Sequence, residues 1–170
     1  MNRLLDMLRG GDRRSIGLSN HVASEVLRNP ELFAVLIEGM LSPDPIVRMR
    51  AADAAEKASA KLPHLLAPHK RTLLRDVSKV PQQEVRWHLA LMLPRLNLSA
   101  PERKTAAAIL RSYLDDSSRI VQVCAIQGLS DLARADTGLR AEVKELLDRL
   151  GNTGSPAVKS RCSRLLKKLR

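Results

Sequence analysis

Aromatic residues are nearly missing from this chain. Phe33, Trp87 and Tyr113 are the whole set, 2% of 170 residues. A core so poor in rings must be built from Leu, Ala, Val and Ile, which suits thin, closely packed helical layers. Cysteine is scarce as well. Cys124 and Cys162 are too few for a disulfide framework and point to a reducing compartment. No apolar run approaches the roughly 18 residues that span a bilayer. The first segment, Met1 to Arg9, is charged throughout and has no signal-peptide core. A cytoplasmic location and no membrane partner are therefore expected. No segment alternates apolar and polar residues with period two, so no sheet is expected. Gly10-Gly11 lacks the Lys-Ser/Thr that completes a phosphate-cradling loop. His21, His64, His69 and His88 lack the spacing of a metal site, and Cys124 has only His88 as a candidate base. Asp115-Asp116 reads as a helix end and a cap. No cofactor, no metal and no enzymatic chemistry are expected.

What the chain has is a repeat. A small or polar residue, two further residues, Val, then a basic or polar residue opens an Ala-rich amphipathic stretch four times, around Val47, Val85, Val121 and Val158. The valines are 38, 36 and 37 residues apart. A fixed period of that size filled with helical sequence is the signature of an all-α superhelix, an α-solenoid of about four to five helix pairs. Its repeats would form a single domain over residues 1–170, with inner helices near 13–28, 45–60, 82–97, 118–135 and 155–169.

Punctuation supports that division. Asp12 is placed to cap a helix running to about Arg28, Pro30 sits in a helix first turn, and Asp44 is a plausible cap for the helix of Val47. One helix is expected across Leu62 to Val77. Pro94 should kink or end the helix that carries Val85. Ser99 and Glu102 are spaced as a capping box, and Gly151-Asn152-Thr153-Gly154 reads as a turn.

The stretch Leu41-Ser42-Pro43-Asp44-Pro45-Ile46-Val47-Arg48-Met49-Arg50-Ala51-Ala52-Asp53-Ala54-Ala55 resembles the turn and second helix of a HEAT repeat. The resemblance extends over nearly the whole chain. It implies that the second helix of each pair lines a concave face. It also implies a binding scaffold with no particular chemistry. The family often carries an Asp five residues before the Val, bonding to the Arg that follows a Val. Here Asp116 fits that slot, whereas Ser42, Val80 and Thr153 fill the others. Some HEAT-like proteins are DNA glycosylases with aromatic residues and an Asp on a basic concave face. This chain is shorter, its inner helices carry one aromatic, Trp87, and Asp53 and Asp131 lie in other repeats. HEAT-like bilin lyases form another branch, and nothing here indicates a chromophore pocket.

Charge supplies the functional reading. The 29 Lys and Arg against 18 Asp and Glu leave +11, which favours acidic partners. Solubility or an Arg-rich genome composition would also account for it. Counting from each Val, the third and tenth following positions share a helix face turned away from the apolar stripe. They hold Arg50, Lys57, His88, Arg95, Arg161 and Lys168, with Cys124 and Asp131 breaking the row. Trp87 stands beside them. The row is expected to face solvent as a basic groove for an acidic protein or peptide. Sequence-independent DNA binding is the alternative. The residues directly after the valines, Arg48, Arg86 and Lys159, could extend the groove or brace neighbouring turns.

Overall fold

The computed structural model describes residues 3–12 and 14–169. Among them every regular element is helical. The α-helices are α1 (Arg3–Asp6), α2 (Ser19–Arg28), α3 (Phe33–Gly39), α4 (Pro45–Lys61), α5 (Lys70–Arg75), α6 (Gln83–Met92), α7 (Ala100–Ser112), α8 (Arg119–Ala135), α9 (Thr137–Thr153) and α10 (Pro156–Lys168). Short 3₁₀ turns join several of them. The chain divides into two compact units, Met1–Asn97 and Leu98–Arg170, each holding two of the four Val motifs.

Each unit is organised around a 17-residue Ala-rich helix. In the first, α4 packs against α2, α3 and α6. In the second, α8 packs against α7, and α9 and α10 pack on it and on each other. Ala51, Ala52, Ala54, Ala55 and Ala58 are buried to the last atom, which lets the neighbouring helices approach α4 closely. Val47, Val85, Val121 and Val158 are at most 3% exposed, so the motif's anchor is core in every repeat.

The boundaries follow local chemistry. Asp44 Oδ1 accepts from Ile46 N–H at 2.8 Å, and Pro45 occupies the first helical turn, where its missing N–H costs nothing. Ser99 and Glu102 form the reciprocal capping box at the start of α7. Pro94 ends α6 at Met92, and the next three residues form a 3₁₀ turn.

Three boundaries differ from expectation. The first inner helix begins at Ser19 rather than near residue 13, which itself lies outside the described residues. Asp12 instead accepts from Arg14 N–H at 2.9 Å and closes a local turn. The stretch from Leu62 to Val77 is not one helix. It is a 3₁₀ run, Pro63–His69, followed by the short α5, because Pro63 and Pro68 each remove a donor and Pro68 biases its predecessor out of the α region. The supposed turn at Gly151 is helical through Thr153. Asn152 and Thr153 bond back to the carbonyls of Asp148 and Arg149, so their polar groups are satisfied inside α9. Only Gly154 breaks the helix. It does so at ordinary φ but in tight quarters, for a Cβ there would stand 2.5 Å from Val158 Cγ1.

Val85→Ala should therefore lower stability by roughly 1–2.5 kcal/mol through lost burial and a small cavity. Val85→Asp should cost several kcal/mol by burying an unpaired charge. Thermal melts of the two variants check this, and unchanged midpoints would show that the motif valine is not part of the core.

Candidate functional site

The residues that follow the valines have a structural task. Arg48 Nη1 donates to Ser42 O at 2.7 Å, Arg86 Nε to Val80 O at 3.3 Å, and Gln122 Nε2 to Asp116 O at 2.7 Å. Each bond spans six residues and ties the turn before the motif to the helix after it. The acceptor is the main-chain carbonyl, so an Asp side chain in that slot is unnecessary. Asp116 uses its carboxylate on Ser118 N–H instead. Arg48 also donates to Gln82 Oε1 at 2.8 Å, and Gln82 Nε2 donates to Pro45 O at 2.9 Å, which links the two repeats of the first unit. In the fourth repeat Lys159 is exposed.

Arg50 is where the solvent-facing row fails. Its residue is 3% exposed, and its guanidinium donates to five carbonyls: Leu8 at 2.9 Å, Arg9 at 3.3 Å, Gly10 at 2.7 Å, Asp12 at 3.2 Å and Ser15 at 3.1 Å. Residues 8–12 and 14–17 wrap over the end of this side chain. Gly17 turns away with φ +51°, and a Cβ there would lie 2.8 Å from the guanidinium carbon. Arg95 is also engaged. It pairs with the Glu56 carboxylate and donates to Glu56 O at 2.9 Å and Ser59 Oγ at 3.0 Å. Lys57 Nζ lies 2.6 Å from both Asp53 Oδ2 and Asn20 Oδ1. Three cations of the expected row are thus consumed inside the first unit.

What the first unit assembles is a small mixed cavity of about 390 Å³. Met49, Arg50 and Asp53 of α4, Glu84, Trp87 and His88 of α6, and Arg14, Ser15 and Ile16 of the intervening segment line it. His88 Nε2 stands 3.7 Å from Asp53 Oδ1, and the Trp87 and His88 rings are 5.6 Å apart. Sequence separation hid this meeting of Asp53 with Trp87 and His88. The one signal was the single tryptophan beside a histidine. Burial holds the His88 pKa below the usual imidazole value, against the opposing pull of Asp53 and Glu56. Burial also lowers that of His69, whose ring lies 5.8 Å from Phe33.

In the second unit, Arg161 is half-buried and donates to Gln127 Oε1 at 2.7 Å. Lys168 is exposed. So are Arg164 and Lys167, which the repeat-position reading did not single out. Val158, Cys162 and Leu165 form the buried stripe of α10, and burial raises the Cys162 thiol pKa. The rest of the helix surface exposes Lys159, Arg164, Lys167 and Lys168, none with a carboxylate partner among the described residues. From Arg149 to Arg170 the sequence has seven basic residues and no acid.

Among the described residues no group of three or more His, Cys, Asp or Glu side chains is placed to hold a metal ion. Nor is any helix among the described residues long and apolar enough to cross a membrane. No family model and no curated protein matches the chain. Among solved structures it is similar to the crystal structure of an engineered protein, a target of the Northeast Structural Genomics Consortium. The TM-score is 0.68 at 18% identity, over 98% of this chain and 77% of that one. That likeness concerns the fold alone.

Two outcomes follow. Arg50→Ala should cost on the order of 3–4 kcal/mol, since several carbonyls lose their donor at once, whereas Arg161→Ala should cost about 1 kcal/mol. Denaturant titration separates the two. The fold favours neutral His88, so the unfolded chain takes up a proton first as pH falls through 6.5. Stability should be at its plateau above pH 7 and decline toward pH 5. Thermal midpoints should show a smaller decline in His88→Gln.

Proposed function

We propose that this protein is a non-enzymatic, HEAT-like α-solenoid scaffold that binds an acidic protein or peptide. The four buried valines at a 36–38-residue period and the repeated brace onto the preceding turn support the repeat architecture. The observation that carries the binding reading is the exposed surface of α10, where Lys159, Arg164, Lys167 and Lys168 have no carboxylate partner among the described residues. An interaction surface is the natural use of cations that the fold leaves unpaired. Trp87 and the remaining Arg86 and Lys57 belong to the first unit, where their contacts are local. The binding face is therefore assigned to α10 rather than to the row beginning at Arg50. We place the protein in the cytoplasm.

Phosphate-directed DNA binding is the second reading. It is favoured by the seven basic residues, with no acid among them, between Arg149 and Arg170. An acidic protein is preferred because α10 carries no aromatic side chain to stack on a base.

The test is charge reversal at Lys159, Arg164 and Lys167 together. These exposed sites should change stability by no more than roughly 0.5 kcal/mol each. Fluorescence anisotropy with a labelled poly-glutamate peptide should show binding by the wild type and at least a roughly tenfold loss in the variant, equivalent to about 1.4 kcal/mol. With duplex DNA, binding that falls steeply with salt, and a slope reduced by about one for each contact removed, would favour the second reading. Equal affinity of wild type and variant for both probes would remove the basic-face proposal.

A further inference from the structure

The two units treat the junction between their repeats differently. In the first, Arg48, the residue after the motif valine, donates from Nε to Gln82 Oε1 at 2.8 Å, and Gln82 Nε2 donates to Pro45 O at 2.9 Å. Gln82 stands three residues before the next motif valine, Val85. In the second unit the same two positions hold Gln122 and Ser155, and the position of Pro45 falls to Arg119. Gln122 and Ser155 are each shorter than their counterparts, and no hydrogen bond joins them. Gln122 Nε2 donates to Asp116 O at 2.7 Å, and Ser155 Oγ accepts from Val158 N–H at 3.5 Å. A cavity of about 400 Å³ lies at this junction, lined by Gln122, Ser155 and Arg119 among others.

The chemistry of the lining is one-sided. Its charged group is the Arg119 guanidinium, which is exposed and has no ion pair or side-chain hydrogen bond among the described residues. Ser117 and Ser155 add hydroxyls, and no carboxylate is among the lining residues. Gln122 Oε1 is an acceptor left over once the amide nitrogen is engaged with Asp116. Leu114 and Leu150, both part-exposed, supply apolar wall beside these groups. Such a cleft suits a ligand with a negative head, a short aliphatic stem and an adjoining N–H. A glutamate residue within a polypeptide has all three. A backbone phosphodiester has the charge but not the N–H.

We propose that this cleft of the second unit is the anchor site for a glutamate side chain of a partner polypeptide. The carboxylate pairs with the Arg119 guanidinium, the stem lies against Leu114 and Leu150, and the partner's main-chain N–H donates to Gln122 Oε1. The inference rests on the reading that the partner is an acidic protein, and it adds a defined pocket to the diffuse attraction of α10. Where the first unit closes its junction with its own side chains, the second leaves that role to a ligand.

The test exchanges the junction. Gln122→Arg together with Ser155→Gln puts the first unit's brace into the second and adds a positive charge. General attraction then predicts equal or tighter binding of a labelled poly-glutamate peptide in fluorescence anisotropy, whereas closing the cleft should weaken it by about fivefold or more. Gln82 begins α6 without a side-chain cap, so Gln is compatible with the place of Ser155, and far-UV circular dichroism checks the fold. Arg119→Gln should also weaken binding about fivefold. Lys104→Gln, an equal change of charge on α7 outside the cleft lining, should weaken it by less than about twofold. Equal effects of those two variants, or undiminished binding in a folded junction exchange, would overturn the proposal. Loss of binding on charge reversal at Lys159, Arg164 and Lys167 would then leave the basic surface of α10 standing by itself. A wild type that does not bind the peptide would remove both. Dependence on Arg119 with duplex DNA but not with the peptide would assign the cleft to phosphate and overturn the glutamate assignment. If the junction exchange does not fold, the comparison of Arg119→Gln with Lys104→Gln decides alone.

Discussion

A hydrogen bond across six residues shapes each well-formed turn of this protein. A turn that precedes a helix leaves carbonyls facing away from any ladder. A long polar side chain from the first turn of the helix folds back to take one of them. Arg48, Arg86 and Gln122 all do this, onto Ser42, Val80 and Asp116. Because Gln serves as well as Arg, charge is not what the position requires. Reach and a donor are enough. With the turn fixed, the preceding valine is held toward the core, and the helix that follows enters the packed layer at a set angle.

That economy explains which parts of the molecule were legible in the sequence. Val47, Val85, Val121 and Val158, the caps at Asp44 and Ser99, and the stop at Pro94 all depend on neighbours a few residues away. They could be read from spacing alone. The face holding Arg50 and Arg95 could not. A helical wheel says which residues share a side, but not what covers that side. Here the cover on Arg50 comes from a segment about 40 residues earlier, and the partner of Arg95 lies at Glu56. The helix broken at Pro63 and Pro68 and the α9 end at Thr153 were missed for the opposite reason. In the first case two prolines act jointly, and in the second polar side chains satisfy themselves inside the helix.

The same distinction reorganises the meaning of the net charge. A sum of +11 describes a chain, whereas binding depends on the cations that remain after folding has used the others. Arg48 and Arg50 hold carbonyls. Lys57, Arg95, Arg103 and Arg111 stand against acids. The remainder is uneven, and α10 is where it concentrates. That helix tolerates its crowding because its cations are exposed to solvent and Lys167 and Lys168 sit at the favourable negative end of the helix dipole.

The five acceptors gathered by Arg50 are all main-chain oxygens. The side chains of Arg9, Asp12 and Ser15 play no part in those bonds, so residue identity along the wrap is loosely constrained by them. Its length is another matter. Adding or removing one residue between Gly10 and Asp12 would shift the carbonyls on one side of the change relative to those on the other, and a buried guanidinium cannot follow both sets. Side chains at Arg9, Asp12 and Ser15 are thus free to vary as far as these bonds go, whereas Gly10, Gly11 and Gly17, all at positive φ, and the length of the segment are not. Such loops are normally the places where a chain absorbs insertions most easily, and this one inverts the rule.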